Sequence, residues 1–274
     1  MKKPDKIAKL YNGKVLIEFF EDSHRYRMNG DPVSGVTTFT GVIDKSAPLL
    51  YWATGLMEDY LIRKIEEGAK IGVKCIQEAR WQYRARKDEA ADLGTQVHKL
   101  AENYINAKIQ RKKTPVVSAD EMDERVFKGY MAFLQWVNDH QVKFVASEEL
   151  VCSRRHKYVG LLDVIFTLGS EKHKIEHIGD FKTGKPKEHK RQQNGRWVTT
   201  GISPYPEHRY QVSAYQAAKE EESGKEYGSK WIMYFSKDDA EFRAFEIPAG
   251  EHKQDFKAFL SCKNIKERGN QLSL

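Results

Sequence analysis

The amino-acid sequence predicts an α/β (α+β) chain, a β-sheet with helices on its faces. Three observations predict it. From residue 88 onward the apolar pattern reads helix, helix, three strands, helix, strand, strand, helix. Runs rich in β-branched and aromatic residues over 142–182 are joined by tight polar turns. Three- and four-residue spacing then returns over 208–222 and 250–268, so helices alternate with strands and cover a sheet.

Each element has its own local reason. Residues 1–45 read as β: KVLIEFF (14–20), SHRYRM (23–28) and DPVSGVTTF (31–39) are short strand-like runs punctuated by Asn29-Gly30 and Gly35. Pro48 opens a helix in which Leu49, Trp52, Ala53, Leu56, Tyr60 and Ile65 recur on one side. A second helix is expected from about Lys70 to Lys108. A third covers about 119–140, with Ser118 and Glu121 as a capping box and Met122, Val126, Tyr130, Phe133 and Val137 as its apolar stripe. Strands follow at 142–152, 158–168 and 173–182, with turns at Ser153–Lys157 and Gly169–Lys172. Residues 183–206 are polar and rich in Pro and Gly, which predicts a loop. A helix at 208–222, strands at 230–236 and 242–247 and a closing helix at 250–268 complete the chain.

The chain has 274 residues, 40% hydrophobic and 11% aromatic, enough to build a core and to exclude wholesale disorder. No apolar run approaches the roughly 20 residues of a membrane span, and the first residues lack the apolar stretch of a signal peptide. Cys75, Cys152 and Cys262 lie far apart and form neither a disulfide framework nor a CxxC pair. We therefore expect a soluble cytoplasmic protein without membrane contact. Lysines and arginines number 46 against 39 acids, a net charge of +7 that favours a polyanionic partner.

Chemistry concentrates in the C-terminal half. Asp163 interrupts the otherwise apolar run GLLDVIFTL, and a carboxylate there needs a cation or hydrogen-bond partner to offset several kcal/mol of desolvation. The next strand ends Gly179-Asp180-Phe181-Lys182-Thr183-Gly184, so Asp180 and Lys182 share a face and Phe181 takes the other. Two hard oxygen ligands on adjacent strands, with an ammonium beside them, suit Mg²⁺ or Mn²⁺. The lysine can position or deprotonate an attacking water, or stabilise charge on a phosphate. Glu148 and Glu149 on the preceding strand fall on opposite faces, and either could add a ligand. His98 shares a helix face with Thr95 and Glu102, and Gln211 with Tyr215 forms an i, i+4 polar pair on a face of small residues.

These pieces, in this order, resemble the PD-(D/E)XK nuclease superfamily, and within it the RecB-like exonuclease branch. Phage exonucleases, CRISPR-adaptation nucleases and the mitochondrial genome maintenance exonuclease belong to that branch. The matching motifs are G-T-x-x-H (Gly94, Thr95, His98), a strand glutamate (Glu148 or Glu149), G-x-x-D (Gly160, Asp163), D-x-K-T-G (Asp180, Lys182, Thr183, Gly184) and Q-x-x-x-Y (Gln211, Tyr215). They span about residues 88–236. The resemblance implies a restriction-endonuclease-like core with a mixed central sheet flanked by helices over 86–274. An N-terminal β/helical elaboration over 1–85 would form a wall or arch over the site.

The same resemblance implies that Asp163, Asp180, the strand glutamate, His98 and the backbone carbonyl of Phe181 hold one or two Mg²⁺ or Mn²⁺ ions. The Val151-Cys152-Ser153 context favours Glu148 as that glutamate. It makes Lys182 the catalytic lysine and gives Gln211 and Tyr215 the task of orienting the lysine or the substrate phosphate. Some relatives carry an iron–sulfur cluster on four cysteines; three scattered ones imply no such cluster here. The implied activity is a metal-dependent DNA exonuclease acting at single-stranded or duplex ends in phage or bacterial replication, recombination or repair. A recombinase or single-strand-binding protein is a possible partner. An endonuclease of the same superfamily and a catalytically decayed DNA-binding accessory protein are the alternatives.

Cations are unevenly placed. Residues 182–196 carry Lys182, Lys185, Lys187, Lys190, Arg191 and Arg196 against Glu188, a local +5 beside the carboxylates and an expected path for a phosphate backbone. Trp197, Tyr205 and Tyr210 nearby could stack on unpaired bases. The run Arg80-Trp81-Gln82-Tyr83-Arg84-Ala85-Arg86-Lys87 mixes cations with aromatics, either as a DNA contact or as a solvated helix face. Asp120, Glu121, Asp123 and Glu124 should turn the 118–140 helix away from DNA.

Overall fold

The structure, a computed structural model, describes residues 3–169, 174–236 and 241–272, without the side chains of 90–92. Four short strands open the chain: β1 (Lys6–Leu10), β2 (Val15–Phe20), β3 (Arg25–Met28) and β4 (Asp31–Val33). Then come α1 (Val36–Thr40), α2 (Ser46–Glu66), α3 (Val73–Ile109) and α4 (Glu124–Asp139). Strands β5 (Lys143–Ser153), β6 (Tyr158–Thr167) and β7 (His177–Thr183) follow, then β8 (Lys187–Gln193), β9 (Arg196–Ser203), α5 (Pro206–Ser223), β10 (Lys230–Phe235), β11 (Phe242–Ile247) and α6 (His252–Leu272).

The expected mixed sheet flanked by helices is present. Its order is β11-β10-β7-β6-β5, with β7 and β10 parallel and every other pair antiparallel. A parallel pair requires a crossover, and α5 supplies it. One face is covered by α1, α5 and α6, where Phe39, Tyr158, Val212, Ile232 and Phe259 pack together. The other is covered by α3 and α4, where Ala101, Ile105, Phe133, Val164 and Met233 pack. With both faces buried, β10 is apolar throughout except for Lys230.

The N-terminal strands form a separate sheet, ordered β1-β2-β3-β4. Its alternating inner face (Val15, Ile17, Phe19, with Tyr26) closes on Leu150, Cys152 and Val159 of the central sheet. The boundary expected at 85/86 falls inside the unbroken helix α3.

Several elements differ from expectation. DPVSGVTTF is a strand only to Val33; Val36, Phe39 and Thr40 bury on a short helix because their three- and four-residue spacing faces α5 and α6. Ser118 caps a single 3₁₀ turn, accepting from the Asp120 N–H, whereas α4 is capped by Asp123, which accepts from the Arg125 N–H at 2.8 Å. Residues 183–206 are not a loop: β8 and β9 form a ribbon closed by Asn194-Gly195, both at positive φ (51° and 77°), the geometry of a tight hairpin turn. The strand expected from residue 173 starts at His177, and the turn at Gly169–Lys172 lies, beyond Gly169, outside the described residues. No helix among the described residues is long and apolar enough to cross a membrane.

Candidate active site

Strand register brings the acidic residues into line. Ser147 pairs with Val164 and Glu149 with Leu162, which sets Glu148 opposite Asp163. On the other side Val164 pairs with Gly179, so the next residue along, Asp180, lies beside Asp163 just where that ladder ends. Glu148 takes a left-handed backbone (φ 56°) and drops out of the β5 ladder. Strain of this kind concentrates at functional sites.

Asp163 remains partly open to solvent, whereas Asp180 is only 1% exposed. Asp163 Oδ2 accepts the backbone N–H of Phe181 at 2.7 Å, and the Lys182 ammonium lies 2.5 Å from Asp180 Oδ2. Loss of water pushes both carboxyls above the usual range; the negative charge of Asp180 adds to the rise at Asp163, while Lys182 opposes it at Asp180. A cation between them would relieve this desolvation and repulsion.

Helix α5 braces the site from beneath. Its Gln211 Nε2 donates to Asp180 Oδ1 at 3.1 Å and to the Tyr215 hydroxyl at 2.8 Å, all three groups being buried. Burial pushes the Tyr215 phenol far up, so it stays protonated. Gly160 explains how the ring fits, because a Cβ there would collide with Tyr215. Gly94 has a similar cause: a Cβ would meet the Thr183 side chain at 2.6 Å, so glycine lets α3 approach the end of β7.

His98 reaches the site only at its rim. Its Nε2 is 3.2 Å from Thr183 Oγ1, and its ring packs on Phe181 and Phe235, on the side of β7 away from Asp180. Burial, with the Lys182 charge adding, brings its pKa down to about 4, so the imidazole is neutral at ordinary pH. Of the two glutamates, Glu148 is the one whose charge acts on Asp163; it pairs with Lys6 of β1 at 2.6 Å. Glu149 pairs instead with Lys219 of α5 at 2.9 Å.

The donors suit a hard divalent cation in kind: Asp163, Asp180, Glu148 and the Phe181 carbonyl offer oxygen on three neighbouring strands. Among the described residues, however, no three His, Cys, Asp or Glu side chains gather as a ready metal cluster. Each donor side chain is turned to a partner within the chain: Phe181 N–H, Lys182, Lys6 and, for His98, Thr183.

Tyr26 of β3 is a residue the sequence reading missed. It is buried, Gly35 leaves room for its ring, and its phenol is raised by burial and then by the charges of Glu148 and Asp163. An aromatic in a strand of arginines carries no mark of such a role. Lys185, Lys187, Lys190, Arg191 and Arg196 lie on or at the root of the β8–β9 ribbon, where they are exposed, and Lys190 pairs with Glu188 at 2.9 Å. Trp81 is exposed rather than buried in the core, with Arg84 4.1 Å above its ring.

No protein-family model matches the chain, and no curated protein matches it. Among solved structures it is similar to an alkaline exonuclease (LHK-Exo) from Laribacter hongkongensis. The identity is 10%, the match covers 64% of this chain and 93% of that one, and the TM-score is 0.27. The structure of LHK-Exo in complex with dAMP gives 14% identity over 67% of this chain and 97% of that one, again with a TM-score of 0.27. Likeness this distant assigns neither family nor activity.

Proposed function

We propose that the chain is a metal-dependent DNA exonuclease that hydrolyses phosphodiester bonds at single-stranded or duplex ends, in the cytoplasm of a bacterial or phage-infected cell. The observation that carries it is the alignment of Glu148, Asp163 and Asp180 across three adjacent strands, with Lys182 against Asp180 and Gln211 with Tyr215 locked beneath. Mg²⁺ or Mn²⁺ held by Asp163, Asp180, Glu148 and the Phe181 carbonyl would act as Lewis acid on the scissile phosphate and lower the pKa of the attacking water.

The chain's own residues do the positioning. Gln211 fixes the Asp180 carboxylate so that one oxygen stays turned toward Lys182. The Lys182 ammonium, part-exposed beside Asp180, is placed to hold the water or a non-bridging phosphate oxygen. Substrate would approach at Asp163, the aspartate of the two that stays part-exposed. His98 serves in this arrangement by fixing Thr183 and the end of β7.

Incubation of the purified protein with end-labelled DNA and Mg²⁺ or Mn²⁺ tests this. Wild type should shorten linear DNA from its ends and leave closed circles intact; cleavage of circles would make it an endonuclease. Asp180→Asn and Lys182→Ala should each abolish cleavage, and full activity in either would sink the assignment. DNA binding with no cleavage by wild type would indicate an accessory protein.

A further inference from the structure

The β8–β9 ribbon has no place in the chemistry just described. All of its residues from Lys187 to Ile202 are exposed, on both faces, so it projects from a root where Glu188 and Ile202 line a cavity with Tyr234 and Arg243. Paired residues of an antiparallel ribbon share a face. Arg191 opposite Val198 and Gln193 opposite Arg196 therefore make one face, and Lys190 opposite Thr199 and Gln192 opposite Trp197 make the other. From Lys190 to Ser203 there is no acid, and Arg191 and Arg196 have no ion-pair partner among the described residues. A ribbon lying on a protein would present one apolar face. This one carries cations and amides on both, as a finger between two walls of phosphate would.

Its dimensions agree. Seven residues at about 3.3 Å each put the tip about 20 Å from the root, and that is about six base pairs of duplex. A two-stranded ribbon fits the major groove, about 12 Å wide, where cations on both of its faces lie toward the phosphates of the two strands. The root is fixed to the site, because β7 ends at Thr183 and Gly184, which takes φ 136° and donates its N–H to Phe235 O at 2.9 Å.

We propose that the ribbon is a finger inserted into the groove of duplex DNA, holding the double-stranded flank about six base pairs from the bond cut. This rests on the nuclease reading above and adds that duplex is what the ribbon grips. The test is anisotropy of a fluorescein-labelled 30-base-pair duplex and of a labelled (dT)6 strand, in EDTA so that nothing is cleaved. The variant Arg191→Ala/Arg196→Ala/Trp197→Ala alters only exposed side chains, and far-UV circular dichroism with a melting curve checks that it folds. Its duplex affinity should fall at least tenfold and its salt slope by about two, one per arginine, with (dT)6 binding unchanged. Wild-type affinity should rise with duplex length up to about ten base pairs and then level off. Unchanged duplex affinity and slope, or an equal loss on (dT)6, would overturn the proposal. Because binding is read without cleavage, an inactive wild type that still needs its ribbon for duplex would refute the nuclease reading alone.

Discussion

A single amide nitrogen on Gln211 serves both Asp180 and Tyr215, so losing it frees a buried carboxylate and a buried phenol at once. Partners of this kind are typically worth 10–100-fold in activity or metal affinity. Gln211→Ala should accordingly lower kcat on labelled DNA by about that factor and raise the Mg²⁺ concentration needed for half-activity. A variant matching wild type in both would remove Gln211 from the machinery. Lys230 illustrates a different residue-scale effect. Its Nζ is buried without a hydrogen-bond partner among the described residues, and burial brings its pKa down to about 8, with Asp255 pulling the other way. Below pH 8 both folded and unfolded chains hold this proton, and the full cost of the buried charge applies. Between about 8 and the ordinary lysine value near 10.5 only the unfolded chain holds it, so stability rises with pH. Lys230→Met should therefore be more stable than wild type at pH 7, by on the order of 3 kcal/mol. Urea unfolding should show that gap narrowing toward pH 10; a constant gap would argue against a buried charge.

Between elements, the approach of α3 to β7 is set by Gly94, against which Thr183 is already packed. Gly94→Ala must push the helix or the strand end, and overpacking of this sort typically costs 1–3 kcal/mol. Urea denaturation should register that loss, together with weaker cleavage because Thr183 and His98 move with it. How much of this was legible in the sequence depends on whether the signal was local. A carboxylate inside an apolar run, an Asp-x-Lys closing the next strand and a Gln-x-x-x-Tyr on a small-residue helix face are local patterns, and the structure places all three together. Tyr26 and Lys6 lie more than 120 residues from the groups they meet, so no window of sequence contains the relation. The β8–β9 ribbon was hidden for another reason. KEHKRQQ has none of the β-branched residues that mark a strand, so although RWVTTGIS has them and Asn194-Gly195 carries a turn signal, the first half of the hairpin gave no strand pattern. His98 followed its motif but lies across β7 from the carboxylates, because spacing along a helix does not say which face of the sheet that helix covers.

At the scale of the whole molecule, the N-terminal region is welded to the rest rather than appended. Val15, Ile17, Phe19 and Tyr26 bury against Leu150, Cys152 and Val159, and Val36 and Phe39 enter the cluster beneath the central sheet. Helix α3 carries the chain through the boundary expected at residue 85 without interruption. Lys6 and Tyr26 extend the coupling to the site, since Lys6 pairs with Glu148 and the charges of Glu148 and Asp163 act on the Tyr26 phenol. A region with its own core would melt on its own; one that shares a core must melt with its partner. Calorimetry should then give a single transition. Ile17→Ala, which empties a fully buried position, should move that transition down as a whole by about 2–5 kcal/mol of stability rather than split it. Two transitions, with only the lower one shifted, would instead establish residues 1–45 as an independent unit.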